Sequence, residues 1–391
     1  MIALVRSDFA ALLRARRRVA AVVLAVALGL PAFSAAQTLG ASAGPAPSTA
    51  PATMEAVPNP ETATTLPLPA SALSPPAPAI ALVLPLQSSA YGRAAEAVRA
   101  GFLAAAYVAK VKPLVIGHGD GDVVEAFAKA KDSGAGVVVG PLVRDDLKTI
   151  AGSTDELPWT IALNQLEEGS PLRERMYTIT LAIDGDARQL ARVIRDSGAQ
   201  VVGIIAADAP LQKRLSNAFV ADWILYGGGP PVQLRFERTP DMLALLKREL
   251  GRTPLDAVLL ALDAADAALV KPYVGQIPVY ASSMVNDRQP REVLRDLDDV
   301  RFVEIPWLAD PAARAFANLP RGEFPNAALD RLYALGIDAF RVAQSFRDGA
   351  PASLEFDGAI GHVALDNSRQ LQHDGRLMRF EAGQIVPADG R

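Results

Sequence analysis

Residues 79–106 read AIALVLPLQSSAYGRAAEAVRAGFLAAA, and this stretch decides the fold. Its first part, residues 80–84, is a short apolar run typical of a strand that is buried on both faces. A polar turn follows at residues 87–89, and apolar residues then recur at helical spacing from Tyr91 to Ala105. This order places backbone N–H groups above the carboxyl end of a sheet, where open α/β sheets have their ligand crevice. The stretch therefore predicts an α/β fold.

Short apolar runs and amphipathic segments alternate from this stretch to about residue 346. Repeated β-α-β units with short connections predict mostly parallel sheets with helices on both faces. The strand candidates number about ten, too many for one ordinary sheet, and a polar break at residues 167–175 divides them. We therefore predict two three-layer αβα lobes. Lobe one is expected over about residues 79–183 and 306–350, and lobe two over about residues 184–305 and 351–386.

The tail from residue 354 changes to short alternating strands. The dipeptides Asp357-Gly358, Asp366-Asn367 and Asp374-Gly375 are typical of tight turns between paired strands. We predict β-hairpins at all three.

The first 36 residues have the features of an export signal in the usual order. Arginines cluster before residue 19, an apolar stretch covers residues 19–30, and small residues occupy positions 34–36. The apolar stretch is shorter than the ~20 residues of a membrane span. We therefore predict a signal peptide over residues 1–36 and a periplasmic protein. An uncleaved N-terminal anchor is the alternative, and it would be the only contact with a membrane.

Residues 37–78 are rich in alanine, proline, serine and threonine and carry few charges. Such a composition buries too little apolar surface to offset the entropy of ordering, and proline keeps the chain extended. We predict a disordered Ala/Pro-rich linker that connects the signal to a domain at residues 79–386.

The composition excludes several classes of function. The chain of 391 residues has a net charge of −4, which gives no basic surface for nucleic acid. It has no cysteine, which excludes disulfides, thiolate catalysis, Cys-ligated zinc and the lipid-bearing cysteine of a bacterial lipoprotein. Its three histidines are too widely separated for a helical metal-ligand pair. We therefore predict no metal site and no cofactor.

The sequence contains no complete catalytic constellation. Residues 117–122, GHGDGD, resemble a dinucleotide-binding loop, but Asp122 stands where the third glycine of G-x-G-x-x-G belongs. Zinc-protease, P-loop and β-lactamase motifs are absent from the sequence. Acidic pairs such as Asp184 and Asp186 lie at predicted helix starts, where the helix dipole favours carboxylates. We predict a non-enzymatic protein.

Polar residues follow the ends of several predicted strands. Because the carboxyl ends of parallel strands share one edge of a sheet, the two lobes would present facing polar rims able to bind a small polar ligand. The same residue types also cap helices and form turns, so both interpretations stay open. The cleft candidates are Ser88, Ser89, Asn164, Gln165, Asp208, Asp263, Ser282 and Ser283.

Seven strings resemble the penicillin-binding-protein activator family, a bacterial cell-wall family with the type 1 periplasmic binding protein fold. The last three are the most specific, while the early ones also resemble transporter binding proteins. The strings are IALVLPLQSSAYGRAAEAVRAGF, VVVGPLVRDDL, IALNQ, IPVYASS, VRFVEIPW, RLYALGIDAFRV and FDGAIGHVALDNSRQLQ.

This resemblance implies a protein that binds and stimulates a peptidoglycan synthase, which is a penicillin-binding protein. Transport-type relatives of the fold hold an amino-acid-like ligand at positions that correspond to Ser88, Ser89, Asn164 and Gln165. An ABC-transporter solute-binding protein for a small polar ligand is therefore the second hypothesis. The well-studied activators are lipoproteins with an N-terminal helical-repeat domain. This sequence differs in having no cysteine, and its residues 37–78 are too few for such repeats.

Overall fold

The structure is a computed structural model that describes residues 79–167 and 169–388. The predictions for residues 1–36 and 37–78 lie outside the described residues. The strands are β1 (Ala79–Leu84), β2 (Leu114–Gly117), β3 (Ala135–Val139), β4 (Trp159–Ala162), β5 (Met176–Ile179), β6 (Val202–Ala206), β7 (Val232–Arg235), β8 (Ala257–Ala261), β9 (Val279–Ala281), β10 (Arg301–Glu304), β11 (Glu355–Asp357), β12 (His362–Leu365), β13 (Gln370–Asp374), β14 (Arg376–Glu381) and β15 (Gln384–Pro387). The helices are α1 (Gly92–Val108), α2 (Val123–Asp132), α3 (Arg144–Gly152), α4 (Ile183–Asp196), α5 (Pro210–Leu225), α6 (Pro240–Arg252), α7 (Ala264–Val274), α8 (Arg291–Asp296), α9 (Pro306–Ala309) and α10 (Ala327–Ser345).

The first sheet forms the centre of lobe one, with its strands in the order β11-β12-β13-β5-β4-β3-β1-β2. Strands β1 to β5 pair in parallel, β13 continues this parallel arrangement, and β11 and β12 add an antiparallel edge. Side chains of β1 alternate between the two faces. Leu82 and Leu84 pack in the core that α1 and α10 cover. Ala81 and Val83 pack in the core that α2 and α3 cover.

The second sheet forms the centre of lobe two, with its strands in the order β15-β14-β10-β9-β8-β6-β7. Strands β6 to β10 are parallel, and β14 runs antiparallel to β10. Helices α4 and α5 bury Leu190 and Phe219 on one face. Helices α6 and α7 bury Leu246 and Val270 on the other face. Two parallel-dominated sheets, each between two layers of helices, confirm the predicted fold class.

The C-terminal hairpins are divided between the lobes, which differs from the predicted division. We expected all of residues 351–386 in lobe two, but β11, β12 and β13 extend the first sheet, and only β14 and β15 extend the second. The physical reason is pairing and burial: Leu371 of β13 pairs with Ile179 of β5 and is buried in the core of lobe one.

The predicted turns behave differently from one another. The first two lie in the connections of the antiparallel pairs β11–β12 and β12–β13. Asp374-Gly375 is instead the point where the chain crosses from the first sheet to the second, so its prediction as a hairpin is wrong. The hairpin β14–β15 turns at Ala382-Gly383, where both residues have positive φ angles of 52° and 73°.

Helices α1 and α10 cross in close contact in lobe one. A Cβ atom on Gly336 would lie 2.1 Å from the carbonyl oxygen of Val98, and one on Gly101 would lie 1.9 Å from that of Tyr333. Glycine is therefore required at both positions of the crossing. This close crossing holds α10 against lobe one.

Among the described residues, no helix has both the length and the apolarity to cross a membrane.

Candidate functional site

The carboxyl end of β1 shows what its two serines do. Ser88 is buried, and its Oγ accepts a hydrogen bond from the backbone N–H of Tyr91 at 3.2 Å, just before α1 begins. Ser89 lies exposed in the same turn. Ser88 therefore stabilises the start of the helix, which is the turn-forming interpretation of this residue type.

The two amides after β4 have different partners. Asn164 donates from Nδ2 to the carbonyl oxygen of Leu142 at 2.9 Å, and its Oδ1 accepts from the N–H of Gln165 at 2.9 Å. Gln165 donates from Nε2 to Oδ2 of Asp184 at 3.2 Å. Asn164 therefore connects the loop after β4 with the loop after β3, whereas Gln165 connects lobe one with the first turn of α4 in lobe two.

Three of the lobe-two candidates have partners close to them in the sequence, and Asp263 also lies 3.9 Å from Nη2 of Arg238. Asp208 is exposed and forms an ion pair with Lys213 of α5, whose hydrogen bond and charge lower the pKa of that carboxyl. Asp263 caps α7 by accepting from the N–H of Asp266 at 2.9 Å. Ser282 is fully buried and accepts from the N–H of Met284 at 3.4 Å.

Ser283 takes part in a larger polar cluster. Its Oγ and its backbone N–H both donate to Oδ2 of Asp186, at 2.7 and 2.9 Å. Gln165 and Ser283 thus contact acidic residues of α4, whereas the described partners of the other candidates lie outside α4. The described contacts divide the candidates among several separate polar groups.

The polar cluster around Ser283 joins the two lobes, and we call it the buried junction. Arg331, at the start of α10 in lobe one, donates from Nε and Nη2 to Glu304 at 3.0 and 2.6 Å. The carboxylate of Glu304, at the end of β10 in lobe two, is 0% exposed, and the Arg331 side chain is 13% exposed. Nη2 of Arg331 also donates to the carbonyl oxygens of Ser283 and Asn286, at 2.8 and 2.9 Å. The buried junction consists of Asp186, Ser283, Asn286, Glu304 and Arg331.

Both carboxylate oxygens of Glu304 accept further hydrogen bonds besides those from Arg331. Asn286 donates from Nδ2 to Oε2 of Glu304 at 2.6 Å, and the N–H of Ile305 donates to Oε1 at 2.9 Å. A buried charge is tolerated when it is paired and its remaining lone pairs are hydrogen-bonded. Glu304 meets both conditions.

Burial dominates the electrostatics of Asp186. It raises the pKa of this carboxyl to about 6, against the opposing effect of two hydrogen bonds from Ser283 and the charge of Arg331. Part of the residue reaches the surface, but the carboxyl end lies within the cluster. For Arg331, burial lowers the pKa and the charge of Glu304 raises it, with a net upward shift.

A second contact between the lobes lies nearer the solvent, and we call it the exposed junction. It consists of Gln165, Asp184 and Arg214: the bond from Gln165 to Asp184 crosses between the lobes, and Arg214 pairs with Asp184 within lobe two. Arg214 of α5 donates from Nε and Nη2 to Asp184 at 3.2 and 2.5 Å, and these two side chains are 34% and 27% exposed. An open cavity of about 620 Å³ adjoins Asp184 and Arg214, and its described lining comes from lobe two, including Asp208, Lys213 and Asn217.

Sequence reasoning missed the central residues of the buried junction. A signal was present, because Glu304 is the one charged residue in the short run FVEIPW, and Arg331 opens the string RLYALGIDAFRV. Asp186 lies in the first turn of α4, as the sequence predicts, and its carboxylate also accepts a hydrogen bond from the hydroxyl of Ser283. Within the described residues, His, Asp and Glu form no group of three or more that could hold a metal ion.

The fold and its cleft define a class of protein, the two-lobed type 1 periplasmic-binding-protein architecture. A structure described as a putative branched-chain amino acid ABC transporter from Chromobacterium violaceum superposes with a TM-score of 0.68 and 34% identity, covering 76% of this chain and 98% of that one. The C-domain of LpoA from Haemophilus influenzae superposes with a TM-score of 0.69 at 22% identity, covering 79% and 99%.

The chain belongs to the family described as "LppC putative lipoprotein", whose model matches residues 58–247 and 235–383. Curated relatives are named penicillin-binding protein activator LpoA. The protein from Escherichia coli O6:H1 is 25% identical over 310 residues, which cover 68% of this chain and 45% of that one. The protein from Klebsiella pneumoniae is 25% identical over 302 residues, covering 68% and 43%. The chain thus spans less than half the length of these relatives. These matches confirm the family resemblance that the seven strings predicted.

Proposed function

We propose that this chain is an exported, non-enzymatic protein that binds a penicillin-binding protein and stimulates its synthesis of peptidoglycan. In this proposal residues 1–36 direct export, residues 37–78 form a tether, and the two lobes act in the periplasm. The names of the curated relatives support an activator, and the LpoA of Haemophilus influenzae, whose C-domain shares this fold, is described as a regulator of PBP1A.

The observation that carries the proposal is the buried junction. A solute-binding protein opens and closes on its ligand, so its lobes must separate at low cost. Here the lobes are joined by an enclosed Glu304–Arg331 pair, and parting the pair would leave a carboxylate without its cation. The cost of parting this pair supports a protein that presents one preformed surface to a partner.

The test is a reconstitution of the full chain with a bifunctional peptidoglycan synthase. We expect co-purification and a faster rate of glycan cross-linking without any added small molecule. The Arg214→Ala variant is a control, because it removes an ion pair within lobe two and leaves the Glu304–Arg331 pair in place, so it should stimulate as the natural chain does. Absence of both binding and stimulation would contradict the proposal.

A second candidate, a solute-binding protein, has two observations in its favour. One is the 34% identity to the Chromobacterium violaceum structure. The other is the open cavity of about 620 Å³, whose lining includes the polar groups of Asp184, Asp208 and Asn217. A thermal-shift screen of free amino acids tests this candidate, because a ligand at a hundred times its Kd adds about 2.7 kcal/mol of stability. A shift that is lost in Asp184→Ala would favour it over the activator.

A further inference from the structure

Asp374-Gly375 is the last place where the chain crosses between the lobes, and it connects β13 of the first sheet with β14 of the second. A two-lobed protein bends at such points, because a hinge is a few residues at the ends of elements that absorb large changes of φ and ψ. Gly375 lies outside both strands, and glycine has the widest choice of φ and ψ. The contacts of Gly375 therefore decide whether the lobes can turn at this point.

Helix α4 of lobe two binds the backbone of Gly375 through one side chain. Gln189 donates from Nε2 to the carbonyl oxygen of Gly375 at 2.8 Å, and its Oε1 accepts from the N–H of Gly375 at 2.9 Å. A glutamine amide carries both a donor and an acceptor, as a peptide group does. Gln189 therefore occupies both polar groups of Gly375, in the way that a neighbouring strand would. The chain can turn at Gly375 only after both hydrogen bonds are broken.

Two arginines of α4 bind residues that lie just before Gly375. Arg188 donates from Nη1 to Oε1 of Gln372 at 2.6 Å, and Arg192 donates from Nη2 to Oδ1 of Asp374 at 2.5 Å. Positions 188 and 192 are four residues apart, so they lie on one face of the helix together with position 189. This face of α4 thus contacts the end of β13 as well as Gly375. We call the set the Gly375 clamp, and it consists of Arg188, Gln189, Arg192, Gln372, Asp374 and Gly375.

Close backbone packing restricts the same two residues from two further directions. A Cβ atom on Gly375 would lie 2.7 Å from the carbonyl oxygen of Glu304 in β10. Gly361, between β11 and β12, has a φ of 138°, and a Cβ atom on it would lie 2.2 Å from the carbonyl oxygen of Asp374. Asp374-Gly375 is therefore in contact with β10, with the β11–β12 connection and with α4. Because packed interiors resist deformation, these contacts oppose the change of backbone angles that bending requires.

We propose that the Gly375 clamp holds the two lobes at one angle, so that this crossing is a fixed joint and not a hinge, with Gln189 as its positioning residue. The clamp is separate from the buried junction, because the two sets have no residue in common. The inference goes beyond the proposed function, since it concerns the movement of the lobes whatever partner the chain binds.

The experiment measures the distance between the lobes of the full chain by double electron–electron resonance. The chain has no cysteine, so spin labels attach only at introduced ones. The labelled positions are Lys129→Cys on α2 of lobe one and Lys247→Cys on α6 of lobe two, both of them exposed. We expect one narrow distance distribution in this labelled chain. Adding Gln189→Ala removes both hydrogen bonds to Gly375, so it should broaden the distribution and add a second distance.

The matched control is Gln200→Ala, which removes a glutamine that bonds to Gly198 within lobe two and should leave the distribution unchanged. Gly375→Ala changes the other partner of the clamp: its Cβ atom must move away from Glu304, so the distance should change here too. Far-UV circular dichroism confirms that each variant is folded. Gln189→Ala decides the outcome, because it only shortens a partly exposed side chain. A distribution equal to that of Gln200→Ala would overturn the proposal, and so would two distances in the labelled chain before any further substitution.

Discussion

The buried junction and the exposed junction contain similar charged groups in different surroundings. The buried junction has a carboxylate that is 0% exposed and accepts hydrogen bonds from three residues. In the exposed junction Arg214 pairs with Asp184, and 34% of the Arg214 side chain is exposed to water. The arginine–carboxylate distances are 2.6 Å in the buried junction and 2.5 Å in the exposed one. The comparison teaches that contact distance alone does not rank such pairs, because the cost of breaking one depends on whether water can replace the lost partner.

The largest expected effect comes from Arg331→Ala. The substitution leaves the enclosed carboxylate of Glu304 without its cation, and breaking a buried pair in this way costs about 3–5 kcal/mol of unfolding free energy. Arg214→Ala at the exposed junction should cost about 0–1 kcal/mol. Urea unfolding of the two variants beside the natural chain measures both values.

A double variant sharpens this result. Glu304→Met with Arg331→Met removes both charges and should recover most of the loss, because no unpaired charge remains. Equal costs for Arg331→Ala and Arg214→Ala would contradict the distinction between the two junctions.

The pH dependence of stability tests Asp186. Burial raises its pKa from 3.8 to about 6, so the folded protein holds the proton more tightly than the unfolded chain. The stabilising contribution is fully present below pH 3.8 and is lost as the pH rises through 6. We expect Asp186→Asn to gain stability relative to the natural chain between pH 4 and pH 7, by at most on the order of 3 kcal/mol. Urea unfolding at pH 4, 5, 6 and 7 measures the difference.

Asp256→Asn is the control with the opposite sign. Hydrogen bonds from the N–H groups of Val201 and Gln200 lower the pKa of the exposed Asp256. The contribution of Asp256 to the free energy of unfolding is present above its pKa in the unfolded chain and is lost as the pH falls. The Asp256→Asn variant should therefore become less stable relative to the natural chain as the pH rises. Parallel pH profiles for the two variants would refute the assignment for Asp186.

Gly336→Ala should weaken the buried junction from a distance. The new Cβ would lie 2.1 Å from the carbonyl oxygen of Val98, so α10, which carries Arg331, must shift away from α1. Overpacking of this kind costs about 1–3 kcal/mol. Gly251→Ala is the matched control, because its Cβ has open space within α6 and should add up to about 1 kcal/mol of helix stability. Thermal unfolding that gives both variants the same change would contradict the close crossing.

The smallest effect is expected for Gln165→Ala. Its hydrogen bond to Asp184 is 3.2 Å long and partly exposed, so its loss should cost less than about 1 kcal/mol. A double-mutant cycle with Arg214→Ala measures the coupling between them, which should be a few tenths of a kcal/mol. A coupling as large as the Arg331→Ala effect would mean that the exposed junction is the main bond between the lobes.

Local pattern was enough to predict the layers of the fold. A strand that is buried on both faces has apolar side chains on both sides, so it appears in the sequence as a continuous apolar run. Residues 257–261 are such a run, and they form β8. The assignment of β13 failed for a physical reason: a hairpin pattern defines its own turn but not which distant edge it extends. The pairing of Leu371 with Ile179 joins residues that are far apart in the sequence.

The position of the candidate residues at strand ends could be predicted from the sequence, but their hydrogen-bond partners could not. Ser88 and Asp263 do lie at strand ends, yet helix caps and ligand contacts need the same oxygen atoms, so residue type could not separate the two roles. The contact between Glu304 and Arg331 could not be predicted from the sequence, for a different reason. The strings VRFVEIPW and RLYALGIDAFRV were recognised separately, and only the folded chain brings them into contact.

The order of the last five strands has a consequence for synthesis of the chain. Strand β5 acquires its neighbour β13 only at residues 370–374, and β10 acquires β14 only at residues 376–381. A polypeptide that ended at residue 350 would therefore expose β5 and β10 as sheet edges, one in each lobe, and unpaired edge strands promote aggregation. Both sheets are therefore completed only when the C-terminal stretch that carries β11 to β15 has been synthesised.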